Sequence, residues 1–254
     1  MIKNMKQMIY QMNVAGHILR YRLREPDTLC FFSHYMFPAE GDQFDIAVSD
    51  RDMAFIQKCF PEHTAAYCES KYLIEMTAVY LLRFDACIFH SAAFIWRGFA
   101  WLLAGPSGVG KTTQMIHWKR RFGDDVQIIS GDMPILATQP DGSILVWPSA
   151  WNGKERWAGT TAAPLGGVIY LEQAQENTIA RIGPEQSVYR IFHQYGCRPE
   201  TKEQIIRLAA LVERTVSQYP TWLLQNRGDD ASMLLTAKTI CTYLSERSTE
   251  NEAL

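Results

Sequence analysis

The chain has 254 residues, of which 47% are hydrophobic and 20% are charged, and 25 basic against 27 acidic side chains give a formal net charge of −2. This composition is typical of a globular protein and excludes a disordered chain. Domains that bind duplex nucleic acid usually carry a basic surplus, so we expect no nucleic-acid partner.

No stretch of the sequence predicts a membrane span or an export signal. The most apolar stretch, residues 87–103, is interrupted by His90 and Arg97. The first thirteen residues contain neither a continuous apolar region nor a small-residue cleavage site, so we expect no signal peptide. The six cysteines include no Cys-x-x-Cys pair, and a chain of this length can bury a core without disulfides. We therefore predict free thiols, no membrane partner and a cytoplasmic protein.

The N-terminal part, residues 1–70, is predicted to form a small β-rich subdomain. Residues 14–24 alternate in the manner of a strand, and Phe44–Val48 is a second short candidate. Asp50 is placed to cap a helix that follows it.

The main domain is predicted to begin with a helix over residues 71–84. Two apolar runs follow, 86–95 and 99–104, and the three residues between them predict a β-hairpin. A second hairpin is predicted over Pro134–Trp147, about Asp141-Gly142. Because the two hairpins flank one glycine-rich loop, we predict an α/β fold with a mixed sheet instead of an ordinary doubly wound sheet.

The remaining elements follow from periodicity and from cap residues. Strands are predicted over 126–130, 167–171, 178–182 and 221–225. Helices are predicted over 111–122, from Pro184, over 202–217 and from Asp229 or Asp230. The helix over 202–217 is amphipathic, and its predicted buried face consists of Ile205, Ile206, Leu208, Ala209 and Val212. The main domain, residues 71–245, then gives way to a frayed polar tail, 246–254.

The strongest motif matches the pattern Gly-x-x-x-x-Gly-Lys-Ser/Thr of phosphate-binding loops (the Walker A motif), with an apolar strand before it and a helix after it. Glycine backbone amides and the helix N-terminus can surround phosphate oxygens. Lys111 is expected to reach the β- and γ-phosphates of ATP, and the Thr112 hydroxyl to hold Mg²⁺. The residues predicted to bind ATP are Gly105, Pro106, Ser107, Gly108, Val109, Gly110, Lys111, Thr112 and Thr113.

A phosphotransferase also needs a carboxylate that holds Mg²⁺ or accepts the proton of the attacking hydroxyl. Asp132 is the best candidate, since it follows the apolar strand 126–130. The alternative is an aspartate that only stabilises a turn. Asp124 and Asp125 follow the end of a helix, where we expect solvated loop residues.

Taken in order, His90, the hairpin, the phosphate-binding loop and the strand ending at Asp132 resemble the HPr kinase/phosphorylase family. That family shares a core with phosphoenolpyruvate carboxykinases. The later run Pro-Ser-x-Trp-x-Gly-Lys-Glu and the segment Tyr219–Leu224 are similar to a branch of stand-alone HPr-kinase-like proteins, some of which phosphorylate precursor peptides, including those of lasso peptides. The resemblance covers about residues 71–243. It implies a P-loop kinase with the HPr-kinase C-terminal-domain fold.

The sequence departs from the family at two places. The family usually has two aspartates where this chain has Gly131-Asp132, so only Asp132 can take that role. The glycine-rich Glu-x-Arg-Gly-x-Gly signature of the regulatory enzymes is absent. The resemblance therefore argues against HPr as the substrate and leaves phosphorylase activity open.

Two further candidates have two interpretations each. His90 is either close to the phosphates or a hydrogen-bonded core histidine. The segment Trp147–Trp157 is either a substrate-facing loop, in which Lys154 or Arg156 balances phosphate charge, or a loop that its tryptophans anchor on the core. The resemblance favours Lys154.

The predicted function is ATP- and Mg²⁺-dependent transfer of the γ-phosphoryl group to a hydroxyl, with a serine of a peptide or small protein as the expected acceptor. The predicted catalytic residues are Lys111, Asp132, Lys154 and His90, and the predicted metal ligands are Thr112 and Asp132. Two alternatives stay open, a small-molecule kinase and a nucleotide-binding regulator without turnover. Association into a homo-oligomer also stays open.

Overall fold

The computed structural model describes residues 8–32 and 34–252. Residues 1–7, 33, 253 and 254 lie outside the described residues. These include part of the N-terminal segment for which we expect no signal peptide, and the last two residues of the predicted tail. Within the described residues the strands are β1 (Met8–Val14), β2 (His17–Leu23), β3 (Phe37–Pro38), β4 (Ile46–Ala47), β5 (Ala86–Ile88), β6 (Ser91–Trp96), β7 (Phe99–Ala104), β8 (Gln127–Ser130), β9 (Ile135–Thr138), β10 (Ile144–Trp147), β11 (Ala163–Gln173), β12 (Thr178–Ile182) and β13 (Thr221–Asn226). The α-helices are α1 (Asp50–Cys59), α2 (Ala65–Leu81), α3 (Lys111–Phe122), α4 (Pro184–Ile191), α5 (Lys202–Gln218) and α6 (Asp230–Glu252). Short 3-10 helices occupy Pro26–Phe31, Leu82–Phe84, Gly123–Asp125 and Phe192–Gln194.

A four-stranded sheet near the N-terminus has the order β3-β1-β2-β4. The turn Ala15-Gly16 joins β1 to β2, and both residues have positive φ, 51° and 86°, as a two-residue hairpin turn requires. The predicted strand over residues 14–24 is therefore wrong at its start, where β1 ends and the turn lies. β1 was not predicted, because apolar and polar residues do not alternate strictly in its sequence. The second short candidate is confirmed as β4.

The large sheet is mixed, as predicted. Its nine strands follow the order β5-β9-β10-β11-β7-β6-β8, with β13 beside β11 and β12 beside β13. β7, β11 and β13 are parallel to one another, whereas the other pairings are antiparallel. Both predicted hairpins are confirmed, β6 with β7 and β9 with β10. The apolar run 86–95 is not one strand, because it divides at Phe89-His90 and β5 pairs with β9 instead.

Helices cover both faces of the large sheet. On one face, Met115 and Trp118 of α3 and Met233 of α6 pack with Trp101 and Leu171 in one apolar cluster. On the other face, residues of α2 and α5 pack with β5 and β9 and with the N-terminal sheet in a second, larger cluster. The buried side chains of the small sheet belong to this second cluster, so they stabilise the face of the large sheet that α2 and α5 cover.

Several predicted helix positions need correction. α1 begins at Asp50, but its N-cap is Ser49, whose hydroxyl accepts from the Asp52 amide. α2 begins at Ala65 and spans the predicted domain boundary at residues 70 and 71. α6 continues to Glu252, so residues 246–252 are helical and not frayed.

The predicted inward face of α5 is correct only in part. Leu208 and Val212 are buried as predicted, and Leu211 and Thr215 complete the stripe. Ile205 and Ile206 are 54% and 57% exposed because they lie one turn before the buried stripe begins. Ala209 is exposed too.

Candidate functional site

Four strands end together at one edge of the large sheet. β11 and β13 are parallel to β7, and β8 has the same direction because both β7 and β8 are antiparallel to β6. The residues that follow these strands therefore meet at one edge. In α/β sheets, ligands bind at this carboxyl edge of the parallel strands.

The phosphate loop, Gly105–Thr112, connects β7 to α3. Gly105, Gly108 and Gly110 have φ values of 138°, 80° and 107°, a region that L side chains rarely adopt. A Cβ atom on Gly105 would lie 2.8 Å from the carbonyl oxygen of Leu171 in β11, so glycine also permits this close approach. α3 begins at Lys111, as predicted, with Gly110 as its N-cap. The free amides and the positive dipole end of α3 are therefore at the loop.

Lys111 connects the phosphate loop with the acidic part of the site. Its side chain is buried, and its ammonium donates hydrogen bonds to the carbonyl oxygens of Gly105 (2.9 Å) and Pro106 (3.2 Å). Burial lowers the pKa of Lys111, while the charge of Asp132 opposes that shift. Lys111 and Asp132 therefore lie within electrostatic reach of each other.

Asp132 lies in the turn after β8, where the strand order places it beside the phosphate loop. The Ser130 hydroxyl accepts from the Asp132 amide (3.3 Å) and the Met133 amide (3.2 Å), and the Asp132 carbonyl accepts from the Ser91 amide (2.8 Å). These bonds fix the backbone and leave the carboxylate free to act. Its Oδ1 is 3.3 Å from His90 Nε2, and both side chains are 31% exposed.

His90 lies beside Asp132 and is 31% exposed, so it is not fully buried as a core histidine would be. It lies between β5 and β6, and its amide donates to the Gln194 carbonyl (2.6 Å). Its imidazole reaches the Asp132 carboxylate from the neighbouring strand. The structure therefore brings together three of the four predicted catalytic residues, Lys111, Asp132 and His90.

Lys154, the fourth, lies at the exposed tip of the tryptophan loop, defined here as Trp147–Trp157. The tip closely approaches the turn after β8, Gly131-Asp132, called the acidic turn below. A Cβ atom on Gly153 would lie 3.0 Å from Asp132 Cβ. Lys154, Glu155 and Arg156 are exposed beside this contact, and Arg156 has a positive φ of 53°. The loop therefore places charged side chains near Asp132.

The base of the tryptophan loop is packed on the core. Trp151 is buried with its ring centroid 5.9 Å from that of Phe32, and the Asn152 amide donates to the Tyr35 hydroxyl (2.7 Å). Trp147 and Trp157 are partly buried against the two apolar clusters. The anchoring interpretation thus holds for the tryptophans, while the charged tip stays accessible.

Gly131 shows why a side chain does not fit beside Asp132. A Cβ atom there would lie 2.8 Å from the Asn152 carbonyl oxygen and 3.2 Å from Trp157 Cβ. The Gly131 amide donates to the Trp157 carbonyl (2.9 Å), which holds the loop in this position. Asp132 is therefore the single carboxylate of this turn.

Two cavities flank the phosphate loop. One, of about 720 Å³, lies between the helical end of the loop at Gly110 and Thr113 and the segment Asn226–Gly228. The other, of about 360 Å³, lies between Pro106 and Ser107 and the end of β11 at Tyr170 and Glu172. Gln173 lines both cavities, and its amide donates to the Gly108 carbonyl (3.3 Å).

Gln173 and Asn226 belong to the site although sequence reasoning missed them. Each ends a strand that is parallel to β7. The side-chain amide of Asn226 donates to the backbone carbonyl of Glu172 (3.1 Å). Neither belongs to a recognisable motif. Their positions at the ends of predicted apolar strands are the signal that could have found them.

The residues present fit a magnesium–nucleotide phosphate group. The glycines at 105, 108 and 110 keep the loop backbone clear of Cβ atoms, and Lys111 supplies a cation. The Thr112 hydroxyl and the Asp132 carboxylate are oxygen ligands of the kind that Mg²⁺ prefers. Among residues 8–32 and 34–252, no cluster of three or more His, Cys, Asp or Glu side chains forms a metal site by itself.

Comparisons with known proteins add little to this description. No protein-family model matches the chain, and no curated protein matches it. Among solved structures, the chain is similar to the Hpr(Ser) kinase/phosphatase from Coxiella burnetii, with a TM-score of 0.39 and 10% identity over 63% of this chain and 98% of that chain. We therefore assign the site from the residues of this chain alone.

Across residues 8–32 and 34–252, no helix combines the length and the apolar character that crossing a membrane requires.

Proposed function

We propose that this protein is a kinase that uses ATP and Mg²⁺ to phosphorylate a hydroxyl, with a serine of a peptide or small protein as the expected acceptor. The observation that supports this most is the phosphate loop, with three left-handed glycines and a buried lysine at the start of α3. Asp132 and His90 lie at the same sheet edge. A phosphotransferase needs this pairing of a phosphate cradle with an acid–base group.

In this proposal each residue has a separate task. Lys111 and the loop amides hold the β- and γ-phosphates, and the nucleoside occupies the cavity beside Thr113 and Asn226. Asp132 accepts the proton of the acceptor hydroxyl or serves as a metal ligand with Thr112. His90, 3.3 Å from the carboxylate, orients it. Magnesium, when bound, would neutralise negative charge on the phosphoryl group.

The first experiment measures ATP binding by calorimetry, with and without Mg²⁺. Lys111→Ala removes charge-assisted hydrogen bonds worth about 1.5–3 kcal/mol each, so affinity should fall at least about tenfold. Lys238→Ala is the matched control, because Lys238 is exposed on α6 and lines neither of the cavities beside the loop. Equal affinity for the wild type and Lys111→Ala would contradict the phosphate-loop assignment.

A nucleotide-binding regulator is the second candidate. The observation that favours it is the tight contact at Gly131, which leaves one carboxylate in the turn. Incubation with γ-labelled ATP and serine-containing peptides separates the candidates, and hydroxylated small molecules in parallel test the small-molecule alternative. ATP binding without label transfer to any acceptor would favour the regulator.

A further inference from the structure

A short segment after α4 pairs with the residues around β5. The His90 amide donates to the Gln194 carbonyl (2.6 Å), and the Gly196 amide donates to the Ile88 carbonyl (2.9 Å). Phe89 and Tyr195 form an antiparallel bridge between these two hydrogen-bonded pairs. The segment 194–197 therefore behaves as an extra strand beside β5.

This register places two cysteines directly opposite each other. In an antiparallel ladder, hydrogen-bonded pairs alternate with closer pairs whose Cα atoms are about 4.5 Å apart. The pairs His90–Gln194 and Ile88–Gly196 are hydrogen-bonded. The pairs that alternate with them, Phe89–Tyr195 and Cys87–Cys197, are therefore the closer ones. Their sulfur atoms are 3.4 Å apart, and both thiols are free. A Cα separation of about 4.5 Å lies within the range that a disulfide spans.

We propose that Cys87 and Cys197 are a redox modification site that closes reversibly into an intramolecular disulfide. With hydrogen peroxide as the oxidant, the Cys197 thiolate attacks a peroxide oxygen, the O–O bond breaks, and a sulfenic acid forms with release of hydroxide. Cys87 then attacks the Cys197 sulfur, and the sulfenic oxygen leaves as water. Two thiols and one peroxide give one disulfide and two waters.

The surroundings of the two sulfur atoms favour this order of events. Cys197 is partly exposed, whereas Cys87 is fully buried. The Cys87 thiol donates a hydrogen bond to Cys197, which lowers the pKa of Cys197, while burial raises the pKa of Cys87. An oxidant therefore meets first the accessible sulfur, whose lowered pKa favours the reactive thiolate.

The disulfide would join two segments that the sequence separates by 110 positions. It would fix the segment 194–197 against β5, which ends two residues before His90. Reduced protein should therefore open this pairing more often than oxidised protein does. The expected consequences are a melting temperature higher by several degrees and slower hydrogen exchange at the amides of His90 and Gly196 in the oxidised form.

The test treats the full chain with hydrogen peroxide, followed by mass spectrometry and peptide mapping. We expect the loss of two of the six thiols, a mass lower by two hydrogen atoms, and a linked peptide pair that contains Cys87 and Cys197. Dithiothreitol should restore all the thiols. The exposed Cys59 supplies the matched control, since Cys59→Ser should form the same link.

Two variants keep the test decisive. Cys197→Ser should abolish the link and the rise in melting temperature while leaving the buried Cys87 packed in place. Cys87→Ala should also abolish the link, and it is informative wherever it folds. The proposal is overturned if Cys197 oxidises to sulfinic acid without a link, if the link joins other cysteines, or if exchange at His90 and Gly196 is equal in both forms. None of these measurements depends on kinase activity.

Discussion

The phosphate loop and the tryptophan loop meet at the same sheet edge but are held in different ways. Backbone geometry defines the phosphate loop, with glycines in left-handed conformations and a lysine bonded to the carbonyl oxygens of the loop itself. Side chains define the tryptophan loop, because Trp151 and Asn152 contact Phe32 and Tyr35, more than one hundred positions away in the sequence. A loop of the first kind can be recognised in a sequence, whereas one of the second kind depends on distant partners.

The largest expected effect concerns Asp132, which the tip of the tryptophan loop approaches and whose charge acts on Lys111 of the phosphate loop. Asp132→Asn keeps the shape of the side chain and removes its charge, so loss of a general base should slow phosphotransfer by about 10²–10⁴-fold. The measurement is the rate of label transfer from ATP under saturating conditions. Asp124→Asn is the control, since that side chain is fully exposed on the short 3-10 helix Gly123–Asp125 and its loss should leave the rate unchanged. Equal rates for wild type and Asp132→Asn would remove Asp132 from the mechanism.

The next effect tests the side-chain anchors of the tryptophan loop. Trp151 is 7% exposed, and Trp151→Ala should lower the free energy of unfolding by about 3–5 kcal/mol. Urea denaturation checks this value. Lys154→Ala, at the exposed tip of the same loop, should change the free energy of unfolding by less than about 0.5 kcal/mol. A stable Trp151→Ala protein would show that the loop is not anchored in this way.

A smaller loss of stability is expected where the tryptophan loop touches the acidic turn. Gly131→Ala would place a Cβ atom 2.8 Å from the Asn152 carbonyl oxygen, and overpacking of this kind costs about 1–3 kcal/mol. Gly183→Ala is the control, because no atom beyond its chain neighbours lies within 4 Å of its Cβ position. Thermal unfolding of both variants gives the comparison. If both variants lose equally little stability, the tryptophan loop is not in tight contact with the turn at Gly131-Asp132.

The smallest effect separates catalysis from nucleotide binding at the charged tip. Lys154→Ala should slow phosphotransfer about tenfold, which corresponds to about 1.4 kcal/mol, while the Kd for ATP changes little. The reason is that the proposed function assigns ATP to the phosphate loop, whereas the tip lies beside Asp132. Parallel measurements of Kd and transfer rate test this. An unchanged transfer rate would leave the tip as a surface segment.

Much of the fold could be predicted because local patterns carry it. The hairpins about 97–98 and 141–142, the helix after the phosphate loop and the strand β13 all follow from turn residues and periodicity. The division of the run 86–95 into β5 and β6 could not be predicted, because pairing with β9 is a tertiary choice that apolar residues alone do not reveal. The same holds for β1, whose partner fixes it and whose own sequence does not.

The candidate site also contains residues that the sequence indicates and residues that only the strand order brings there. Lys111 and Asp132 belong to a motif and to a strand end, so the sequence points to both. The contact between His90 and Asp132 joins residues 42 positions apart and depends on how β6 pairs with β8. Gln173 and Asn226 reach the site only because β11 and β13 lie parallel to β7. Strand order, which short motifs do not encode, therefore decides the membership of the site.

The outer side of β8 has a consequence for how copies of this protein can associate. β8 ends the strand path of the large sheet, and an open edge of that kind can template the addition of a foreign strand. Here the Gly131 amide and the Ile129 carbonyl are already bonded to Trp157 and Gly159. The returning chain thus seals the edge beside Asp132 against strand exchange. Strand addition at this point of the edge is therefore blocked, and the Asp132 carboxylate stays accessible.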